Sequence, residues 1–243
     1  MVDNDILAHA VRCAPAESCG YVVRTAVGEQ YFPCDNVSPD PIRSFRIRPE
    51  AYLQAQALGA VIALVHSHPE GEPCLSTADR TLQIRSDLPW WLVSEGHLHR
   101  FPCVPPLLGR TFEHGVCDCY TLFRDAYALA GLLLPDFPRE EAWWTHGQNL
   151  YLDNLTQNGF APIAAEAAQP GDILLCCFGT SVANHAAIYC GDGELLHHIP
   201  DQLSKRERYT EPWQRRTHSL WRHPKWHESA FTGIYNDLAI ALT

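Results

Sequence analysis

Two periods govern the hydrophobic and polar positions of this 243-residue chain. In the first hundred residues strand-like and helix-like stretches alternate. Gly20 to Val23 reads as a strand, Pro49 to Leu58 as a helix, and Val61 to Val65 as a buried strand ending at His66. That order predicts α/β or α+β. The stretch Phe101-Pro102-Cys103-Val104-Pro105-Pro106 then breaks regular structure, because successive prolines remove backbone donors and restrict the residue before them. The break predicts two domains, 1–104 and 105–243. Beyond it, Leu122, Ala126, Leu129, Ala130 and Leu133 recur at helical spacing, predicting a helix over Cys119 to Leu134 that stops at Pro135. Apolar runs from Gly171-Asp172 to Phe178 and from His185 to Cys190 follow. Gly191-Asp192-Gly193 then makes a tight turn and Glu194 to His198 returns. A helix followed by an antiparallel meander predicts α+β for the second half.

Composition narrows the possibilities. Hydrophobic residues at 46% and charged residues at 19% are ordinary for a globular chain, so the whole should fold. A formal net charge of -10 argues against nucleic-acid binding, which needs clustered Lys and Arg. The one basic run, Lys205-Arg206-Glu207-Arg208, is short and interrupted and reads as a solvated turn. The first residues carry no basic and apolar leader pattern, and no segment reaches the ~20 apolar residues of a membrane span, so synthesis and folding in the cytosol are expected. Ten cysteines show no repeated CxxC pair suited to structural zinc, and most should be reduced and buried. Trp213, Trp221 and Trp226, set among His218, His223 and His227, should pack on a sheet, as should Trp143-Trp144.

Within His66-Ser67-His68-Pro69-Glu70-Gly71-Glu72-Pro73-Cys74-Leu75-Ser76-Thr77-Ala78-Asp79, two histidines one residue apart at a strand end face the same side. Asp79 lies at a helix start that Ser76 or Thr77 could cap. His66, His68 and Asp79 thus supply three ligands, which suits a catalytic zinc with an open fourth position. Such a site needs a carboxylate as general acid/base, and Glu17, just before the strand at Gly20, is the candidate. A Glu followed by Cys-Gly, an apolar strand, His-x-His-Pro, six residues and Ser-x-x-Asp resembles the JAMM (Mov34/MPN/JAB) metallopeptidase family over roughly residues 5–102. The resemblance implies Zn2+ on His66, His68 and Asp79, Glu17 as general acid/base, and Ser76 as a donor to the oxyanion.

Asp118-Cys119 stands at a helix N-terminus, whose dipole favours a thiolate, so Cys119 is a candidate nucleophile. His185, opening a strand, would be its base, and His197 on the next strand would hydrogen-bond the far nitrogen of His185 as the third member. His198 competes with His197, but successive strand residues face opposite ways. Asp-Cys at a helix start, Pro-Gly-Asp before a strand, His-x-x-Ile-Tyr-x-Gly and Leu-His resemble the NlpC-type cell-wall peptidases, a papain-like superfamily, over roughly residues 112–210. That resemblance implies cleavage between D-γ-glutamate and the diamino acid of the peptidoglycan stem, with Cys119, His185 and His197 in the three roles. Many members place an oxyanion-donating tyrosine about a dozen residues before the nucleophile. Here Leu107-Leu108-Gly109 offers none, and His114 is the substitute considered. Cys117 reads as structural, although a Cys117–Cys119 disulfide would silence the nucleophile.

The pairing of a JAMM module with an NlpC-type module resembles the tail assembly proteins of lambda-like phages and prophages. It implies a tail-tip assembly role, other tail-tip proteins as partners, and a peptide or peptidoglycan substrate. It also implies presence in the host cytoplasm during assembly, with the virion tail tip and then the host periplasm as later locations. The competing expectation is an assembly chaperone or structural tail-tip protein that keeps both folds as docking surfaces.

Overall fold

The structure is a computed structural model that describes residues 2–240. It is α+β and divides into two compact units, Met1–Val104 and Pro105–Thr243.

In the first unit, α1 (Val2–Cys13) leads into a hairpin of β1 (Cys19–Thr25) and β2 (Gly28–Cys34), followed by α2 (Pro49–Leu58), β3 (Ala60–His68), α3 (Thr77–Ser86), β4 (Trp90–Ser94) and β5 (His97–Phe101). Among the described residues the strands form one sheet in the order β2-β1-β3-β4-β5. Only β3 and β4 pair in parallel, with α3 as the crossover between them. Strand alternation splits the core in two. Tyr21, Val23, Leu64, Trp90 and Leu92 pack on one face with Ala55 of α2. Val22, Ala63, Val65 and Val93 pack on the other with Ile6 and Ala10 of α1. His66 and His68 follow Leu64 at intervals of two, so strand alternation assigns both to the Leu64 face.

In the second unit, α4 (Cys119–Leu129) precedes α5 (Leu150–Gln157), β6 (Ala161–Ile163), β7 (Ile173–Cys176), β8 (His185–Gly191), β9 (Glu194–His197), β10 (Lys205–Arg208), α6 (Glu211–Arg216), β11 (Thr217–Arg222) and α7 (Phe231–Leu238). The described strands form a sheet in the order β10-β9-β8-β7-β11-β6, every pair antiparallel. Helix α4 is buried along nearly its whole length and packs on β8 and β9. The tight turn between those strands forms with positive φ at Asp192 and Gly193, 50° and 69°, as a two-residue hairpin demands.

Two local expectations are corrected. Helix α4 ends at Leu129 rather than Leu134. Gly131, at φ +78°, turns left-handed, and the amides of Gly131 and Leu132 close onto the carbonyls of Ala128 and Tyr127 at 3.0 and 2.8 Å. This is a glycine C-cap, so the helix stops before Pro135 can act. Residues 205–208 are a strand rather than a turn, because Lys205 to Arg208 pair with His197 to Glu194. Trp213, Trp221 and Trp226 are all buried.

Gly171 ties the second sheet to the C-terminal segment. It sits at φ +96°, and a Cβ there would lie 1.8 Å from Cζ2 of Trp226, whose indole donates to the Pro170 carbonyl at 3.0 Å. Gly171→Ala should therefore lose the backbone conformation and displace the indole together. The expected cost is roughly 2 kcal/mol or more. A denaturation midpoint equal to that of wild type would show that Trp226 is not held this way.

Candidate active sites

The first site lies where β3 meets the start of α3. Nε2 of His66 is 3.1 Å from Nε2 of His68, and Oδ2 of Asp79 is 3.6 and 3.3 Å from those nitrogens. Ligand bonds of ~2.0–2.1 Å in a tetrahedral shell put ligand atoms roughly 3.3 Å apart, so the three atoms have the separations a zinc ion requires. Among the described residues this is the one group of three His, Cys, Asp or Glu that converges so closely. The support of His68 fits as well, whereas the buried Nδ1 of His66 has no hydrogen-bond partner. His68 Nδ1 lies 3.1 Å from the Glu72 carbonyl, which makes Nδ1 the donor and leaves Nε2 free to ligate. A Cβ on Gly71 would approach the His68 Cβ to 2.9 Å, so only glycine lets the loop close over that ring.

Asp79 is placed by a capping box. Its amide donates to Ser76 Oγ at 3.1 Å, and its Oδ2 accepts from the Ser76 amide at 2.9 Å and from the Ser76 hydroxyl at 2.6 Å. Ser76 is therefore the N-cap left open between it and Thr77, and its hydroxyl proton points at Asp79. Desolvation works against the Asp79 anion, but the hydrogen bonds of His66 and His68 outweigh it and hold the carboxyl far below its ordinary range. Burial pushes His66 down.

Glu17 is buried one residue before Ser18, which is tied to β3: the Ser18 amide donates to Ser67 Oγ at 2.8 Å and the Ser67 amide to the Ser18 carbonyl at 3.1 Å. Burial pushes the Glu17 carboxyl up to about 7, with His68 drawing it down and Asp79 pushing it further up. That value suits a group that must take and return a proton near neutral pH. Beside this site a cavity of about 210 Å3, lined by Leu7, Val11, Pro69 and Val93, opens against His68.

The second site lies at the start of α4. Asp118 is its N-cap: Oδ1 accepts from the Thr121 amide at 3.0 Å, while Oδ2 accepts from the Gly115 amide at 2.9 Å and from Arg139 Nε at 2.8 Å. Desolvation raises this carboxyl, and the Arg139 guanidinium and the two amides overcome it and hold it low. Cys119 and His185 line one cavity of about 330 Å3 with Phe112, Trp144, Tyr151 and Phe178. Burial pushes the Cys119 thiol up to about 11, with the Asp118 charge adding to it, and burial pushes the His185 imidazole down to about 3. Burial and the Asp118 charge outweigh the Tyr151 hydroxyl, the Ala186 backbone and Arg139, which favour the thiolate, so thiol and imidazole both favour their neutral forms.

His197 reaches the same face as His185 but does not bond to it. Their ring centroids are 6.0 Å apart, and the buried Nε2 of His185 and both ring nitrogens of His197 lack hydrogen bonds. Burial pushes His197 down to about 4, opposed by Glu207. His198 takes the other face and packs on Phe112. His114 lies at 3.0 Å from the Glu140 carbonyl, and all ten cysteines, Cys117 included, are free thiols.

The residue that spacing alone missed is Tyr151. Its hydroxyl stands 3.1 Å from the Cys119 sulfur, and the ring is buried between Trp143 and Tyr120. The family resemblance implies a tyrosine before Cys119; α5 delivers one from 32 residues after it. The signal available in sequence was an amphipathic segment, Leu150–Gln157, whose Tyr151 and Leu155 share its buried side.

Comparison with known families agrees with this division. Residues 2–104 match the prokaryotic homologs of the JAB domain, and residues 109–222 match the NlpC/P60 family. A JAB-type module followed by an NlpC/P60 module is the class that fold and sites define. The tail tip assembly protein K of Escherichia phage lambda is 71% identical over 195 residues, covering 80% of this chain and 98% of the relative. That of Escherichia phage N15 is 36% identical over 228 residues, covering 90% and 92%. The chain belongs to the tail tip assembly protein K family. Among solved structures, an NlpC/P60 family protein from Bacillus cereus aligns with a TM-score of 0.39 at 12% identity, over 88% of this chain and 65% of that one.

Two measurements check the sites. Purified chain supplied with zinc should hold about one equivalent by elemental analysis, and His68→Ala or Asp79→Ala should hold none. A wild-type chain that stays zinc-free rules the ligand set out. At the other site, Tyr151→Phe removes a donor to the thiolate and should slow alkylation of Cys119 by roughly tenfold, read by mass spectrometry of the Cys119 peptide. An unchanged rate would leave the hydroxyl without effect on the sulfur.

Proposed function

We propose that this chain acts in phage tail tip assembly and carries two hydrolytic sites, a zinc-dependent peptidase or isopeptidase site and a cysteine endopeptidase site. The substrate assigned to the cysteine site is the stem peptide of peptidoglycan, cut between D-γ-glutamate and the diamino acid. The zinc site is assigned an amide bond in a tail protein. The observation that carries the reading is the convergence of His66, His68 and Asp79 at 3.1–3.6 Å with buried Glu17 beside them. A docking module without chemistry has no physical need for such a group. Family membership supports the tail-tip role and other tail-tip proteins as partners. Assembly takes place in the host cytoplasm, and the tail tip can carry the cysteine site to the periplasm at infection. Among the described residues no helix is long and apolar enough to cross a membrane, and the net charge of -10 disfavours nucleic acid.

At the first site, His66, His68 and Asp79 would hold a zinc ion, which would supply Lewis acidity and lower the pKa of a water near it. Glu17 takes the proton of the attacking water and returns it to the leaving amine. Ser76, whose hydroxyl proton is given to Asp79 Oδ2 in this arrangement, turns that proton to the carbonyl oxygen as the oxygen gains charge. At the second site, His185 takes the Cys119 proton as the sulfur bonds to the scissile carbonyl carbon, and then passes it to the departing amine; water releases the thioester. Tyr151 donates first to the forming thiolate and then to the carbonyl oxygen. Substrate entry into the Cys119 cavity must supply the polar partners that burial withholds, because thiol and imidazole both rest neutral there.

The second reading, a tail-assembly chaperone or structural tail-tip protein, is favoured by the absence of a His185–His197 bond. Digestion of purified peptidoglycan decides between them. Wild type and His68→Ala should release stem peptides detected by mass spectrometry, and Cys119→Ala should release none. Silence from wild type would remove the cell-wall substrate and bring the chaperone reading forward.

A further inference from the structure

Strand β10 brings a carboxylate under the second histidine. Lys205 pairs directly with His197, and Glu207, two residues on, projects to the same side of the ribbon. Glu207 Oε1 accepts a hydrogen bond from Trp213 Nε1 at 2.7 Å and lies 3.2 Å from His197 Nε2; its Oε2 lies 2.9 Å from Lys205 Nζ. The Trp213 ring in turn packs on both imidazoles, with centroids 4.6 Å from His197 and 5.8 Å from His185. One carboxylate therefore holds the indole that walls in both histidines and also faces the outer nitrogen of one of them.

We infer that Glu207 is a positioning residue of the cysteine site, selecting the His197 tautomer that carries its proton on Nε2 and locking Trp213 against His185 and His197. The inference rests on the reading of Cys119 and His185 as nucleophile and base. A neutral imidazole has two tautomers close in energy, and the partner of one nitrogen decides which nitrogen keeps the proton. An anion at Nε2 favours the proton there, so Nδ1 carries the lone pair and is the acceptor that ring can offer to His185. The same anion stabilises positive charge on the histidine pair when His185 takes the thiol proton. His197 Nε2 is buried and its contact with Glu207 is close but not aligned as a hydrogen bond, so the selection is electrostatic in this arrangement. The charged and titratable groups around His197 are Glu207 and Lys205 on β10, His198 beside it and His185 on β8. Of these Glu207 alone is an acid, and Lys205 keeps it ionised.

The test is Glu207→Gln in the full chain, since the amide oxygen can still accept from Trp213 while the charge is lost. Histidine-labelled protein is examined by nitrogen NMR, with His197 assigned by His197→Asn, and stem-peptide release is followed across a series of peptidoglycan concentrations. Wild type should show His197 protonated at Nε2, and Glu207→Gln should show a mixture of tautomers. The maximal rate should fall at least about tenfold, the scale of one charge-assisted interaction, with the half-saturating concentration within about twofold. Arg206→Gln, one residue away on the opposite side of β10, should leave both readings at wild-type values. An unchanged His197 tautomer, or full-rate turnover by Glu207→Gln, overturns the role given to Glu207. A wild-type chain that releases nothing overturns the peptidase reading instead, and the NMR comparison then decides Glu207 by itself.

Discussion

Both candidate sites are built around an aspartate fixed at a helix N-terminus. The first amides of a helix have no partner within it, and a carboxylate that accepts from them is held in place and kept ionised at once. At α3 the carboxylate is Asp79, which closes a capping box with Ser76 and simultaneously presents Oδ2 to two histidines. At α4 it is Asp118, which caps the helix and pairs with the buried Arg139, so the next residue, Cys119, is delivered to the cavity floor in one orientation. Removing either carboxylate would cost a cap and a site together. The buried Asp118–Arg139 pair is also asymmetric in its energetics, since losing one partner strands a buried charge at a cost of about 3–5 kcal/mol.

The two sites differ in what burial does to them. At the cluster of His66, His68 and Asp79, burial and hydrogen bonding drive the carboxyls apart in proton affinity: Asp79 is held ionised while Glu17 is lifted to about 7. At the second site burial acts on the Cys119 thiol and the His185 imidazole alike and favours the neutral form of each, pushing the first up to about 11 and the second down to about 3. The half-buried Glu207, anchored to Trp213 and Lys205, is a standing charge against His197.

Much of this was legible along the chain because the devices are local. His66 and His68 at an interval of two on a strand, Asp79 three residues after Ser76, and Asp118 next to Cys119 are all relations within one turn or one strand, and short-range geometry makes them visible as spacing. The Pro-rich break at residues 101–106 marks a change of unit for a similarly local reason. The errors were local rules overruled by a nearer one or by pairing. Gly131 ended α4 before Pro135, and Lys205–Arg208, polar enough for a turn, became an edge strand because β9 was there to pair with it.

The sequence by itself determined the two-part division, the spacing that brings His66, His68 and Asp79 together, and the cysteine at a helix start, since each rests on residues close in the chain. Only the tertiary structure decided which groups attend the cysteine. Tyr151 stands 32 residues from Cys119, and Glu207 and Trp213 meet His197 and His185 from separate elements. It also decided that the thiol rests protonated. Burial depends on everything packed around a group, and no spacing between neighbours encodes it.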